Sequence, residues 1–287
     1  ITTEGAFGIA VGVSASMVFL FVLFGALLER AGAGNYFIRV AYALTGHYRG
    51  GPAKAAVVSS AMTGMISGSS IANVVTTGTF TIPLMKRIGF SSEKAGAIEV
   101  ASSTNGQLTP PIMGTAAFLM VEYVGVSYIE VIKHAFLPAV ISYIALIYIV
   151  HLEALKSGME GLTRTKKLNK VDRLIGICSV LIVLGILVWV LPPFFEFIKI
   201  IGGEVSTLII ALILISSYLA LLYSVSKMPN LPSGEIIEIP EVGKTVKAGL
   251  HFLLPVILLI WLLTVKRFSL ETSVYWATMF MIFIVIT

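Results

Sequence analysis

The amino-acid sequence predicts an all-α, polytopic membrane protein, and three observations carry that expectation. Its residues are 57% hydrophobic and only 12% charged, whereas a soluble domain carries about 25% charge. Too few charges remain to cover a water-facing surface, so lipid must solvate much of the chain. The apolar residues fall in blocks long enough to cross a bilayer, which takes about 20 residues per helix. Two further blocks are interrupted by polar stretches bearing glycine or proline, a pattern that predicts a re-entrant helical hairpin and a broken helix among ordinary transmembrane helices.

In chain order, the first span covers 7–28 and closes on Glu29-Arg30. The stretch 35–46 sets Arg39 among Phe37, Ile38, Val40 and Tyr42; too short to span, it suits a helix lying at the membrane interface. Residues 53–85 form two apolar arms joined by Ser67-Gly68-Ser69-Ser70. Each arm has about 14 residues, or roughly 21 Å of helix, against a hydrocarbon core of roughly 30 Å. Neither arm crosses alone, and a hairpin entering and leaving on one side fits better. The span 92–125 is broken between Asn105 and Gly114, because Pro110 and Pro111 cannot donate backbone hydrogen bonds and Thr109 is turned away from helix by the proline after it. Further spans are expected at 135–155, 174–191, 205–226, 250–265 and from 272 to 287. The expected organisation is thus a transport region over 1–162 followed by further membrane spans over 163–287. The chain opens on Ile1 and stops inside an apolar run at Thr287, so it is read as a piece of a longer protein cut at both ends.

Charge orients this map. With the hairpin opening toward the basic loops, all 20 Lys and Arg except Lys133, Lys199, Lys266 and Arg267 fall on one side, which the positive-inside rule makes cytoplasmic. Reading the hairpin as one ordinary span would flip every later loop and erase the bias. The net charge of +5 therefore reports orientation, and no basic face with interleaved aromatics suggests nucleic acid. Cys178 lies in an apolar block, where packing is its default role.

The chemistry concentrates at the two interruptions. At the hairpin tip, Ser67, Ser69, Ser70 and Asn73 add neutral oxygens to the free carbonyls of one helix end and the free N–H groups of the next. At the break, Ser102, Ser103, Thr104, Asn105, Gln107 and Thr109 surround unwound backbone. Paired broken helices near the midplane point to the binding site of a secondary transporter. The structural alternative is helix packing, since Gly64 and Gly68 have small-xxx-small spacing and Ser and Thr join membrane helices. Glu99 and Glu122 flank the break; Glu122 reads as solvated, whereas Glu99 is deep enough to be a candidate for ion or proton coupling. His47, His134, His151 and His251 all fall near span ends and read as interfacial. No His stands at the depth of a Ser for an intramembrane protease, and neither H-E-x-x-H nor a P-loop occurs, so the chain is not expected to be an enzyme.

Three motifs make the sequence resemble a known family: Gly50-Gly51-Pro52-Ala53-Lys54, the run SGSSIANVVTTGTFTIPLMK from Ser67 to Lys86, and STNGQLTPPIMG from Ser103 to Gly114. These closely resemble the large, DctM-like membrane subunit of tripartite ATP-independent periplasmic (TRAP) transporters, nearest the fused-permease type that works with a TAXI-class binding protein. The likeness is strong from about Thr3 to Leu162. It implies half of an inverted-repeat, elevator-type transporter in a bacterial or archaeal cytoplasmic (inner) membrane, with 1–162 as its first repeat. It implies a periplasmic solute-binding protein as partner, a small solute expected to be a carboxylate, and a driving gradient of Na⁺ or, alternatively, H⁺, with no other cofactor. It places cation and substrate binding at Ser67, Gly68, Ser69, Ser70 and Asn73, and at Ser103, Thr104, Asn105, Gly106, Gln107 and Thr109, with sodium expected at Ser67–Ser70 and Ser103–Gln107. The family's second hairpin and second broken helix have no counterpart in the chain. Two other readings stay open: an inverted-repeat ion symporter needing no binding protein, and a membrane scaffold that does not transport.

Overall fold

The computed structural model describes residues 5, 8–159, 182, 185–226 and 240–286. Most of the expected span 174–191, and large parts of the loops 156–173 and 227–249, lie outside the described residues. Within them every regular element is helical. We number the helices α1 (Ile9–Arg30), α2 (Ala33–Thr45), α3 (Gly51–Ser67), α4 (Ser70–Arg87), α5 (Ser92–Gly106), α6 (Thr115–Val124), α7 (Tyr128–Lys156), α8 (Leu191–Gly202), α9 (Ser206–Ser226), α10 (Val242–Ala248), α11 (Leu254–Thr264) and α12 (Leu270–Ile286).

Among the described residues three helices are long and apolar enough to cross a membrane, α1, α7 and α9; α10 and the stretch Leu250–Thr264 that ends in α11, bent by 52°, make a fourth if taken as one span. The outer faces of the long helices carry apolar side chains in the open. On α9, Leu208, Leu212, Ile215 and Leu219 are all exposed at 51–65% and recur at helical spacing. On α7, Leu137, Ile141, Ile144 and Tyr148 are likewise exposed. Such stripes have no place in water, and the protein is an all-α polytopic membrane protein.

The centre is polar and small rather than oily and large. All 17 residues of α3 are buried, and Gly, Ala, Ser and Thr dominate it. Small side chains let neighbouring backbones close in where lipid supplies no hydrophobic drive between helices. Thus α2, α4, α5 and α7 all pack on α3, and α1 crosses its end so closely that a Cβ on Gly25 would lie 2.8 Å from Ile66 O. The helix over the stretch expected at the interface, α2, has almost every residue buried, with Arg39 only 4% exposed. It is enclosed by α3 and α10; Tyr36 fills the space beside Gly249 and donates to Val246 O at 2.8 Å.

The foot of α7 ties down the base of this group. Lys54 of α3 meets His151 Nδ1 at 3.0 Å, and Lys94 of α5 pairs with Glu153. A second, smaller core joins α8, α9, α11 and α12 through Phe195, Ile210, Tyr218, Trp261 and Ile284.

Candidate functional site

The hairpin tip is two residues long. α3 ends at Ser67, and Gly68 caps it in the left-handed region at φ 60° with its N–H on Gly64 O at 3.2 Å. A Cβ on Gly68 would strike Met113 O, so glycine is required both for the turn and for contact with the break. Ser69 is extended and N-caps α4, its Oγ accepting from Ala72 N at 3.3 Å, the usual task of a serine there.

The break begins two residues later than the sequence suggests. α5 continues through Asn105 and Gly106, and Gln107–Gly114 form the non-helical link to α6. Gly114 N donates to Gln107 O at 2.8 Å and closes the link on itself; the Pro110-Pro111 peptide is cis. Two buried tyrosines brace it. Tyr128 donates to Pro111 O at 2.9 Å and lies equally against Ile112 O. Tyr143 of α7 shares a 3.0 Å hydroxyl contact with Thr109. Ile112 N reaches Met65 O of the hairpin at 3.4 Å.

Tip and break together flank an open cavity of about 230 Å³, lined by Ser67–Ile71 on one side, by Gln107, Ile112, Met113 and Thr115 on the other, and by Phe21 and Phe118. Gln107 Nε2 crosses to Ser70 Oγ at 2.8 Å. The ends of α3 and α5 bring partial negative charge, and the starts of α4 and α6 bring partial positive charge. One small space therefore offers acceptors for a cation beside donors for an anion.

Comparison with known proteins identifies the family. Residues 2–201 match the family model described as "Tripartite ATP-independent periplasmic transporter, DctM component". The chain belongs to that family. The C4-dicarboxylate TRAP transporter large permease protein DctM of Vibrio cholerae is 38% identical over 91 residues, 32% of this chain and 20% of that protein. The ectoine TRAP transporter large permease protein TeaC of Halomonas elongata is 33% identical over 95 residues, 33% of this chain and 22% of TeaC. An uncharacterised protein, y4mL, of Sinorhizobium fredii is 28% identical over 138 residues, 48% of this chain and 32% of its own length. The chain thus spans a third or less of these relatives.

The residues singled out in this DctM-family sequence do not all meet in the cavity. Ser67, Gly68, Ser69, Ser70 and Gln107 line it. Asn105 is half-buried in the last turn of α5, and its carbonyl accepts from Thr109 Oγ1 at 3.0 Å. Thr104 is exposed and donates to Val100 O at 2.8 Å. Gly106 packs against Gly64, leaving no room for a Cβ on Gly64. Asn73 is fully buried and donates from Nδ2 to Ser60 O at 3.0 Å. Ser103 faces Glu99, donating to Oε1 at 3.2 Å.

Sequence reasoning missed the company that Glu99 keeps. Its carboxylate, 0% exposed, accepts from Ser60 of α3 at 3.4 Å, from Ser103, and from Thr77 and Thr81 of α4. The signal was available: Asn73, Thr77 and Thr81 recur every fourth residue and so share one face of α4. A larger cavity, about 790 Å³, opens among α7, α8, α11 and α12; none of the sequence-derived site residues lines it.

Proposed function

We propose that this chain supplies one half-site of a secondary active TRAP permease, importing an organic acid or similar small solute that a periplasmic binding protein delivers. The observation that supports it is the cavity where four helix ends from tip and break converge. Opposed helix ends of this kind bind an anionic solute and its coupling cation side by side in transporters. At about 230 Å³ the space is smaller than the roughly 300–1,000 Å³ of complete small-molecule sites, as a half-site should be. A second hairpin and broken helix completes it, giving an inverted-repeat, elevator-type carrier in the bacterial inner membrane, multi-pass and with the basic loops cytoplasmic. The driving ion is Na⁺ or H⁺ bound near Ser67–Ser70 and Ser103–Gln107, the partner is of the TAXI type, and the solute is a carboxylate. The relatives' names, which mention C4-dicarboxylate and ectoine, agree with a small carboxylate-bearing solute. The match to a transporter family supports carriage rather than catalysis.

The test is uptake by the full-length permease in proteoliposomes, with and without its purified binding protein, under imposed Na⁺ and H⁺ gradients. Accumulation that needs both the protein and a gradient is expected. Accumulation without the binding protein would favour a stand-alone symporter. No flux under any gradient would favour a scaffold.

A further inference from the structure

We infer that the cage around Glu99 is a binding site for one monovalent cation, a proton or a sodium ion, separate from the cavity between tip and break. The inference deepens the permease reading, on which its purpose rests.

Charge balance comes first. Glu99 is sealed from solvent, and all of its hydrogen-bond partners are neutral hydroxyls. The ionisable groups on the elements packed against α5 are engaged elsewhere or stand at the surface. Lys54 of α3 meets His151 of α7, and Lys94 pairs with Glu153. Lys86 and Arg87 are exposed in the last turn of α4, Glu93 is exposed at the start of α5, and on α7 Glu130, Lys133, His134 and Lys156 are exposed too. Tyr143 of α7 is turned to Thr109. A carboxylate buried in this way costs several kcal/mol unless a positive charge reaches it, and among the described residues no side chain supplies one.

The cage itself is built to accept such a charge. Thr77 Oγ1 lies 2.7 Å from Asn73 O as well as against Glu99, and Thr81 Oγ1 lies 2.9 Å from Thr77 O as well as against Glu99. Each hydroxyl hydrogen therefore has two destinations. Turned to the carboxylate, it stabilises the empty site. Turned to the helix carbonyl, it leaves oxygen lone pairs pointing inward for a cation. Either state satisfies the hydroxyls, which a purely structural clamp would not require. Ser60 Oγ, 3.3 Å from Thr77 Oγ1, adds a third such oxygen.

A further observation is independent of the carboxylate. Asn73 Oδ1 is buried and meets no donor, although the same side chain is fixed through Nδ2 to Ser60 O. An unfilled carbonyl oxygen one helical turn before Thr77 is a hard oxygen ligand that suits Na⁺ and not a soft metal; if the ion is a proton, the Glu99 carboxylate holds it and the amide oxygen can only accept a hydrogen bond. The cage gathers neutral hydroxyls about one carboxylate, so a single positive charge balances it.

The test is equilibrium binding to the purified full-length permease in nanodiscs, which needs neither solute nor binding protein. Radiolabelled sodium binding is measured at alkaline pH, and proton uptake is measured by back-titration of the same samples. Glu99→Gln should lose one bound cation equivalent while keeping its size-exclusion profile, since the amide still accepts through Oε1 and donates to Thr81. Loss of a sodium equivalent identifies sodium, and loss of a proton equivalent alone identifies the proton. Thr81→Val keeps the carboxylate but removes one hydroxyl. If the ion is sodium, it loses an oxygen ligand and should bind about tenfold or more weakly, the worth of one hydrogen bond to a charged group. If it is a proton, the carboxylate loses a donor that stabilises its charged form and should hold the proton more tightly by a similar factor. Unchanged sodium and proton stoichiometry in a folded Glu99→Gln protein overturns the inference. Because wild-type uptake is measured separately, failure of the permease reading would show there and not here.

Discussion

Replacing Gly64 by alanine should separate the hairpin from the broken helix. A Cβ on Gly64 would strike Gly106 Cα and lie 3.1 Å from the Gly106 carbonyl carbon and oxygen. These are backbone atoms of a packed helix, which cannot turn aside as a side-chain tip can. Overpacking of this kind costs about 1–3 kcal/mol, and the upper end applies here. Alanine returns about 1 kcal/mol of helix propensity relative to glycine, leaving a net loss of about 2 kcal/mol. Gly96, also in α5, provides the control, because nothing lies within 4 Å of a Cβ built there. Gly96→Ala should therefore stabilise by about 1 kcal/mol. In thermal unfolding of the full-length permease the two variants should move in opposite directions, with Gly64→Ala falling by roughly 4 °C if each kcal/mol is worth about 2 °C. Solute uptake should fall severalfold in Gly64→Ala only, because the contact holds Gln107 beside the tip. Gly64→Ala that matches wild type in both Tm and uptake would refute the reasoning.

Three other outcomes are expected. Ser70→Ala and Gln107→Ala should each weaken solute uptake, and the double variant should be no worse than the poorer single one, since they remove two ends of one 2.8 Å bond; additive losses would separate their roles. Tyr143→Phe should destabilise the permease by about 1 kcal/mol through the lost contact with Thr109, measured as a shift in Tm, and no shift would mean that this contact does not help to hold the break. Single cysteines placed at Arg49, Lys86 and Arg164 in a Cys178→Ala background should all resist labelling from outside intact cells. Ready labelling at both Arg49 and Arg164 would reverse the orientation, and labelling at Arg49 but not Lys86 would remove the re-entrant hairpin.

Much of the fold was legible because lipid imposes simple rules. A 22-residue apolar run such as Ile9–Arg30 has few other destinations, and Pro110 and Pro111 must interrupt any helix that contains them. The start of the break was less legible. Proline disfavours helix in the residue before it, but it says nothing about Asn105 and Gly106, whose N–H groups still find helical partners inside α5. The missing information was tertiary: Gly106 can stay helical because Gly64 lets α3 come up against it. The burial of α2 was hidden for a related reason. Its Arg39 suggested an interface, yet Asn35 Oδ1 accepts from Arg39 Nε at 3.1 Å within the same helix, so the charge travels inward with a partner. The Glu99 cage was half legible, since its threonines share a face of α4, but the partner across the gap is fixed only when α3, α4 and α5 are brought together.

The two polar features of the centre act on one another through the same three helices. Glu99 gathers hydroxyls from α3, α4 and its own helix. About one to two turns toward the tip, Gly64 and Gly106 bring α3 and α5 into backbone contact, and Asn73 links α4 to Ser60 O. A hairpin arm cannot shift against α5 without straining that contact and leaving buried hydroxyls without partners, each worth about 1–3 kcal/mol. Tip, break and cage therefore behave as one body, to which α7 is attached at its foot through His151 and Glu153, at Tyr143 beside Thr109, and at Tyr128 against the Pro111 and Ile112 carbonyls. A cation bound at Glu99 would then act on the cavity by stiffening the body that carries it, so occupancy of the cage and affinity at the tip should be linked in both directions.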